Sequence, residues 1–201
     1  NLDNVEQLLT MVERIAQKHT SFNIQPEHYQ IVGLHLIETL RELAADAFTP
    51  EVEEAWTAAY LFLAQVFIDR EAELYLQRKQ AVGGWEAARA FVIADKIEES
   101  ALVTSFILQP KDGGDVLDYT PGQYIGIEVK PEGAQYSEIR QYSLSDKPNG
   151  KQYRISVKRE GQGQETQGVV SNHMHDTVAV GDEVSLYAPA GDFMYQERSK
   201  P

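Results

Sequence analysis

The sequence has 201 residues, of which 42% are hydrophobic, and it carries 31 Asp and Glu against 18 Lys and Arg, a net charge of −13 at pH 7. This length and apolar content suffice for one large domain or two small ones, whereas the acidic excess argues against a nucleic-acid partner, because phosphate-binding surfaces carry a basic excess. The chain has no cysteine, which excludes disulfides and cysteine metal sites, and without a long apolar run or a signal-like segment we expect a cytoplasmic protein that does not span a membrane.

Residues 3 to about 80 show the apolar spacing of amphipathic helices. The first predicted helix carries His19 as the next position of its apolar stripe. Pro26 marks the start of the second helix, because proline is favoured at a first helical position. That start places Tyr29 on the inward face of the second helix.

The third predicted helix begins with Thr49 as its cap and Pro50 behind it. Its apolar positions continue for about 30 residues. Glu73 lies roughly 80° from the apolar stripe of this helix, at its margin. We therefore expect Glu73 to reach a buried site without being fully buried itself.

The helical pattern ends at VGGWE, residues 82–86, where two glycines and a change of periodicity mark a domain boundary. The strands predicted beyond it are FVIADKI, ALVTSFILQP, QYIGIEV, IRQYSLS, QYRISVK and EVSLYAP. The Asn149-Gly150 pair between the fourth and fifth strands is a strong hairpin signal. Six strands at this spacing predict an antiparallel barrel.

The motif RQYS, residues 140–143, has the chemistry that a flavin dinucleotide needs. Such a cofactor requires a contact for its ring system and a cation for its pyrophosphate. Arg140 and Tyr142 project from the same face of a strand, and Ser143 adds a hydroxyl donor. Tyr124, which ends the turn TPGQY, is placed to lie against the ring.

The segment GVVSNHMHD, residues 168–176, predicts an anion-binding helix start. Gly168 permits close approach of the backbone, and Ser171 with Asn172 is suited to opening a helix. The backbone N–H groups at such a start attract phosphate.

The order PGQY, RQYS, GVVS and then PAGDF resembles the flavin-binding domain of the ferredoxin–NADP reductase superfamily. In that superfamily the R-x-Y-S/T and G-x-x-S motifs bind the flavin and its pyrophosphate. The resemblance implies that FAD is contacted by Tyr124, Arg140, Gln141, Tyr142, Ser143, Gly168, Val169, Val170 and Ser171.

His19 alone is most simply explained as a core histidine with one hydrogen bond. A haem iron needs an axial imidazole, however, and a carboxylate with a phenol behind that imidazole would increase its donor strength. The segments AQKHTSF, PEHYQIVG and FIDREAELY resemble the last three globin helices of the flavohaemoglobins, and GGWE resembles their globin–flavin junction. That resemblance implies that His19 is the iron ligand of haem b and that Tyr29 and Glu73 are its catalytic hydrogen-bonding partners.

The resemblance also implies a multidomain α and β organisation. Residues 1–81 would be the last three helices of an all-α globin domain, 82–86 the junction, 87–195 a six-stranded Greek-key FAD-binding barrel, and 196–201 the start of a linker. The distal globin helices and the NAD(P)-binding domain of this family are expected to lie outside the chain. In the intact protein NAD(P)H would reduce FAD, FAD would reduce haem, and haem with O2 would convert nitric oxide to nitrate.

Two other functions are compatible with the residues. One is a flavin-only reductase barrel joined to a helical module that docks a partner. The other is an acidic two-domain scaffold without a cofactor.

Overall fold

The computed structural model describes residues 5–161, 163 and 167–195, so the predicted linker at 196–201 lies outside the described residues. The helices are α1 (Val5–Thr20), α2 (Pro26–Ala44), α3 (Pro50–Gln80) and α4 (Val169–Asp176), with a 3-10 turn at Ala45–Ala47. The strands are β1 (Arg89–Ser100), β2 (Val103–Pro110), β3 (Tyr124–Val129), β4 (Glu138–Ser143), β5 (Tyr153–Lys158) and β6 (Glu183–Ala190). The predicted order of three helices followed by six antiparallel strands is confirmed.

Helix α3 is 31 residues long and begins as the sequence predicts. The Thr49 hydroxyl accepts a hydrogen bond from the Val52 amide at 3.4 Å, which satisfies one of the free N–H groups at the helix start. Helices α1 and α3 share a small buried apolar cluster, formed by Val12, Ala16, Phe67 and Leu74.

Helix α2 crosses α3 closely at Gly33, its buried residue. A Cβ atom on Gly33 would lie 2.4 Å from a ring carbon of Tyr60, so a larger side chain would push the helices apart. The Tyr60 hydroxyl donates to the Tyr29 carbonyl at 2.6 Å. The other faces of α2 expose large apolar side chains, including Ile31, Val32 and Leu34 at 55%, 58% and 59%.

The six strands form one antiparallel sheet in the order β4-β3-β6-β1-β2-β5. Its two edge strands meet at a bridge between Leu144 and Ile155, where the Ser145 amide donates to the Arg154 carbonyl at 2.9 Å. The sheet therefore curves back on itself as the predicted barrel, and β1–β6 are called the barrel below. Its interior contains the fully buried side chains of Phe91, Ile93, Phe106, Leu108, Ile125, Ile127, Ile155 and Leu186.

The Asn149-Gly150 turn is present, but the predicted hairpin is limited to that bridge. Gly150 adopts a φ of 66°, and the Asn149 side chain accepts from the amides of Lys151 and Gln152 at 2.9 and 3.0 Å. The long ladders of the two strands run elsewhere, since β4 pairs with β3 and β5 pairs with β2. The pairing of β4 and β5 is therefore determined by the curvature of the whole sheet and not by the turn that connects these two strands.

Residues 81–88 connect the helices to the barrel and fold against both. A Cβ atom on Gly84 would lie 1.7 Å from the Arg78 carbonyl oxygen, so this close approach requires glycine. Trp85 donates its ring N–H to the Leu186 carbonyl at 3.1 Å and packs against Phe91 with ring centroids 5.6 Å apart. The connection is thus packed onto the barrel core.

No helix in the described part of the chain combines the length and the apolar composition that crossing a bilayer requires.

Candidate cofactor sites

His19, Tyr29 and Glu71 form a hydrogen-bonded cluster between α1, α2 and α3. The Tyr29 hydroxyl donates to Glu71 Oε1 at 2.6 Å, and His19 Nδ1 lies 2.8 Å from the same oxygen and 2.9 Å from the phenol. Because the phenolic proton points to Glu71, we assign the proton on His19 to Nδ1, where it is donated to the carboxylate. This tautomer leaves a lone pair on Nε2, the form in which imidazole binds a metal.

The carboxylate of this cluster is buried, whereas the imidazole reaches the surface. The side chains of Glu71 and His19 are 3% and 33% exposed. Burial raises the pKa of Tyr29, and its hydrogen bond to Glu71 raises it further, so the phenol stays protonated and remains a donor. The His19 ring also lies 5.8 Å from the Phe67 ring, centroid to centroid. The imidazole is therefore oriented by both polar and apolar neighbours.

The prediction that Glu73 supports His19 is wrong, and Glu71 occupies that position. The Glu73 side chain is 64% exposed and pairs with Arg70 at 2.7 Å. Residues three or four apart share a helix face, and Glu71 lies four residues after Phe67 and three before Leu74, both buried. Glu71 is therefore on the buried stripe of α3, and Glu73 is turned away from it.

Exposed apolar side chains lie on the helix faces that lead to His19. Val32 and Leu36 are three and seven residues after Tyr29 on α2, and Leu63 is four residues before Phe67 on α3, so they continue the faces that meet His19. These three side chains are 58%, 37% and 41% exposed. An imidazole with a free Nε2 at the edge of an exposed apolar surface is the donor set that a haem needs.

The RQYS motif lies on β4, an edge strand of the sheet. Tyr142 is half-buried against the barrel core, and burial raises the pKa of its phenol. Arg140 is 50% exposed and pairs with Glu138 at 2.9 Å. Arg140 and Tyr142 share one strand face, and Ser143 is exposed at the end of the strand. The guanidinium and the ring are thus accessible along the same strand.

Two predicted flavin contacts are directed toward the helices. Gln141 alternates to the opposite face from Arg140 and donates to the Ser21 hydroxyl at 2.5 Å. Tyr124 also lies beside Ser21, and burial is the largest of the effects that raise the pKa of its phenol. The Gln141 side chain is therefore bonded to the helical region, on the strand face opposite Arg140 and Tyr142, and its contact with FAD stays a prediction.

Helix α4 begins earlier than predicted, at Val169 with Gly168 as its cap. The Ser171 hydroxyl accepts from the Glu160 amide and donates to the Gly168 carbonyl, both at 3.2 Å, so it fastens the preceding loop and does not cap the helix. A Cβ atom on Gly168 would lie 2.6 Å from Ser171 Oγ. The amides of Val169, Val170 and Ser171 fall in the first turn, where N–H groups have no partner within the helix.

Barrel closure relates these two halves of the predicted flavin site. RQYS lies on the edge strand β4, and β5, which leads to Gly168, is the other edge strand. The bridge between Leu144 and Ile155 joins the two edges. The strand that carries the cation and the strand that precedes the helix start are therefore neighbours.

Two charged residues of the α3 stripe were missed in the sequence. Glu71 and Arg78 are 3% and 9% exposed, and they flank the buried Leu74 at spacings of three and four residues. Burial lowers the pKa of Arg78 to about 10. The signal that could have found both is a charged residue in phase with the apolar positions, because such residues are almost never buried without a partner.

Comparison with known families gives two matches in the same order as the helices and the strands, although the first match ends within α3. Residues 1–67 match the globin family, and residues 90–195 match the family described as oxidoreductase FAD-binding domain. The second match covers more than half of the 201 residues.

Among curated proteins, the chain is 70% identical over 201 residues to a flavohemoprotein of Vibrio cholerae serotype O1, and covers 51% of that protein. It is 47% identical over 193 residues to a flavohemoprotein of Rhizobium meliloti, of which it covers 48%. The chain thus spans about half the length of the curated relatives it matches.

Two solved structures are similar. A flavohemoglobin from Malassezia yamatoensis with bound FAD and heme is 27% identical, with a TM-score of 0.78, over 92% of this chain and 45% of that one. The flavohem-like FAD/NAD binding domain of a nitric oxide dioxygenase from Vibrio cholerae is 65% identical, with a TM-score of 0.55, over 56% of this chain and 48% of that one.

The chain therefore belongs to the oxidoreductase FAD-binding domain family, and a globin segment precedes that domain as in the flavohemoproteins to which it is similar.

Proposed function

We propose that this chain provides the haem-binding side and the flavin-binding barrel of a nitric oxide dioxygenase. One observation carries the proposal: a histidine with a free Nε2, supported by a buried carboxylate and a phenol, precedes a FAD-binding oxidoreductase domain in one chain. A similar protein with both parts contains FAD and heme, and another bears the name nitric oxide dioxygenase.

In this proposal His19 Nε2 ligates the iron of haem b, and Glu71 with Tyr29 sets the strength of that ligand. The Nδ1 proton is donated to Glu71 at 2.8 Å, which increases electron density on the imidazole. Because Glu71 is 3% exposed, water screens its charge little, and the effect on the imidazole is correspondingly strong. Tyr29 donates to the same oxygen and fixes the orientation of the carboxylate.

FAD binds along the barrel edge in the same proposal. Arg140 supplies the cation for the pyrophosphate, Tyr142 supplies a ring contact, and Ser143 supplies a hydroxyl. The start of α4 presents the amides of Val169, Val170 and Ser171 to the same charge, while the Gly168 amide donates to the Glu160 carbonyl at 3.1 Å. Tyr124 lies at the end of the strand paired with β4.

When bound, the cofactors supply redox chemistry in which a hydride from NAD(P)H reduces FAD, electrons pass singly to haem, and O2 with nitric oxide gives nitrate. The relatives are about twice as long as this chain, and we propose that the distal haem wall and the NAD(P)-binding domain come from parts that this chain does not include. The domain limits and the cytoplasmic location remain predictions.

The test measures nitric oxide consumption, NAD(P)H oxidation and nitrate formation in the intact protein. We expect nitric oxide consumption, nitrate formation and the NAD(P)H oxidation that depends on nitric oxide to require O2 and to be lost in His19→Ala. A single reduction of the flavin by NAD(P)H should remain in that variant. Matched rates in His19→Ala and the unsubstituted protein would refute the haem role of His19.

One observation favours the flavin-only alternative, in which the helices dock a partner. Apolar side chains stay exposed on α3, including Leu61 at 61% and Phe62 at 73%, and exposed apolar patches mark interaction sites. Measuring the haem content of the purified protein distinguishes the two functions. A protein that contains FAD and does not bind added haemin would support the docking module.

A further inference from the structure

The chain that follows His19 is fixed to the barrel at Ser21, two residues later. Ser21 is 0% exposed. Its hydroxyl donates to the Lys18 carbonyl at 2.7 Å, so toward Gln141 it acts as the acceptor of the amide N–H, at 2.5 Å. Helix α1 is thereby tied to strand β4.

Glycine at position 126 makes this approach possible. A Cβ atom on Gly126 would lie 2.1 Å from the Ser21 carbonyl oxygen. Gly126 on β3 is the register partner of Gln141 on β4, so the two residues contact Ser21 from adjacent strands. We call Ser21, Gly126 and Gln141 the Ser21 clamp.

A second attachment lies on the other side of His19. Gln17 Oε1 accepts from Arg78 at 2.6 Å and from the Gly191 amide at 3.2 Å, and Arg78 also donates to the Thr20 hydroxyl at 2.5 Å. Gly191 directly follows β6. The five residues from Gln17 to Ser21, with His19 at their centre, are therefore held against the barrel at both ends.

Strand β4 faces both proposed cofactors. Its alternation directs Gln141 to Ser21, while its neighbours Arg140 and Tyr142 point to the other face. Tyr142 is next to Gln141 in the chain, Gln141 donates a hydrogen bond to Ser21, and Ser21 follows His19 by two residues. A shift of α1 relative to β4 would change the separation of the two proposed cofactor sites.

From this geometry we infer that the Ser21 clamp positions the His19 helix for electron transfer from flavin to haem, an inference that rests on the proposed function. One electron leaves the reduced flavin and is gained by ferric haem iron, and no bond to a clamp residue forms or breaks. Tunnelling rates fall exponentially with separation, so a loosened clamp slows this step without changing either cofactor. Ser21, Gly126 and Gln141 are positioning residues.

Ser21→Ala tests the clamp, and Ser105→Ala is its matched control. Ser105 is also 0% exposed, and its hydroxyl bonds to Ser156 at 2.9 Å, away from α1. In the intact protein loaded with FAD and haem, the flavin is photoreduced and haem reduction is followed by absorbance. We expect Ser21→Ala to slow haem reduction at least about tenfold, with both midpoint potentials unchanged, and Ser105→Ala to leave the rate unchanged.

A second readout needs no cofactor. In the cofactor-free protein, Ser21→Ala should speed hydrogen exchange at the amides of residues 21 and 22, which bond to the Lys18 and His19 carbonyls at 3.2 and 3.0 Å. Gly126→Ala, which must displace the Ser21 carbonyl, should likewise slow haem reduction and speed hydrogen exchange at residues 21 and 22. Faster exchange with an unchanged electron-transfer rate, or unchanged exchange, would overturn the inference. Failure of the unsubstituted protein to pass electrons to haem would refute the proposed function instead.

Discussion

The barrel and the helical region bury different kinds of side chain. The barrel encloses a continuous apolar core, in which Phe91, Phe106 and Ile127 are 0% exposed. Among its described residues, the helical region buries a small apolar cluster around Phe67, together with Phe48 and Ala64. The polar residues buried in the same part of the chain are Gln17, Thr20, Ser21, Glu71 and Arg78.

The two regions therefore obtain their stability from different interactions. Burial of apolar area dominates folding, so the barrel is stabilised mainly by its apolar core. The helical region leaves Leu61 and Phe62 exposed and relies on polar contacts, which contribute to stability only when every partner is present. It also carries the proposed iron ligand. The region with the weaker apolar core is thus the one that holds the more demanding polar site.

Phe106→Ala gives the largest expected effect and tests how much apolar burial contributes to the stability of the barrel. Removing a fully buried phenylalanine costs about 3–5 kcal/mol, whereas Phe62→Ala at an exposed position of α3 should change stability by less than about 0.5 kcal/mol. Urea unfolding can be followed at Trp85, which packs on the barrel, after Trp56→Phe removes the half-exposed tryptophan of α3. Equal losses in the two variants would contradict the comparison.

Glu71→Gln tests the polar site of the helical region. Loss of the buried negative charge should lower nitric oxide turnover by about 10–100-fold and slow oxygen chemistry more than oxygen binding. Glu73→Gln is the matched control, because Glu73 is exposed and pairs only with Arg70 among the contacts described, and it should retain full turnover. Similar losses in the two variants would count against the assignment to Glu71.

Arg78→Met tests how strongly buried polar contacts hold α3 to the end of α1. The Thr20 hydroxyl and Gln17 Oε1 would lose the Arg78 guanidinium as a donor, and Gln17 would keep only the Gly191 amide among the donors described. The expected cost is about 1–3 kcal/mol. Lys79→Met, next in the chain and paired with Glu86 at the surface, should cost much less. The readout is the free energy of urea unfolding, and equal costs would show that the Arg78 contacts are not stabilising.

A smaller effect is expected from pH. The hydrogen bond from Arg70 holds the pKa of Glu13 below its usual value. A carboxyl whose pKa is depressed by folding stabilises the fold above its unfolded pKa of about 4.3, and that stability is lost as the pH falls through the lower folded pKa. In Glu13→Gln the free energy of unfolding should therefore fall less steeply as the pH drops below about 4.3. An unchanged acid profile would show that the Glu13–Arg70 pair contributes nothing.

Sequence patterns predicted the parts of the molecule that depend on local chemistry. Thr49 caps α3 because a hydroxyl before a helical proline is a local signal, and Tyr29 faces inward because helical spacing dictates it. Glu71 was missed because its charge suggested the surface, and only the packing of three helices reveals that it is buried. The predicted start of α4 was wrong for a similar reason. The Ser171 hydroxyl accepts from the Glu160 amide, eleven residues earlier in the chain, and this contact depends on the fold of the loop.

The most direct test of the central claim is the absorption spectrum of the intact protein, loaded with haemin and FAD, compared with that of His19→Ala. We expect a Soret band of histidine-ligated haem in the unsubstituted protein, its loss or displacement in His19→Ala, and an unchanged flavin band in both. An identical Soret band in the two proteins would mean that His19 does not bind the iron.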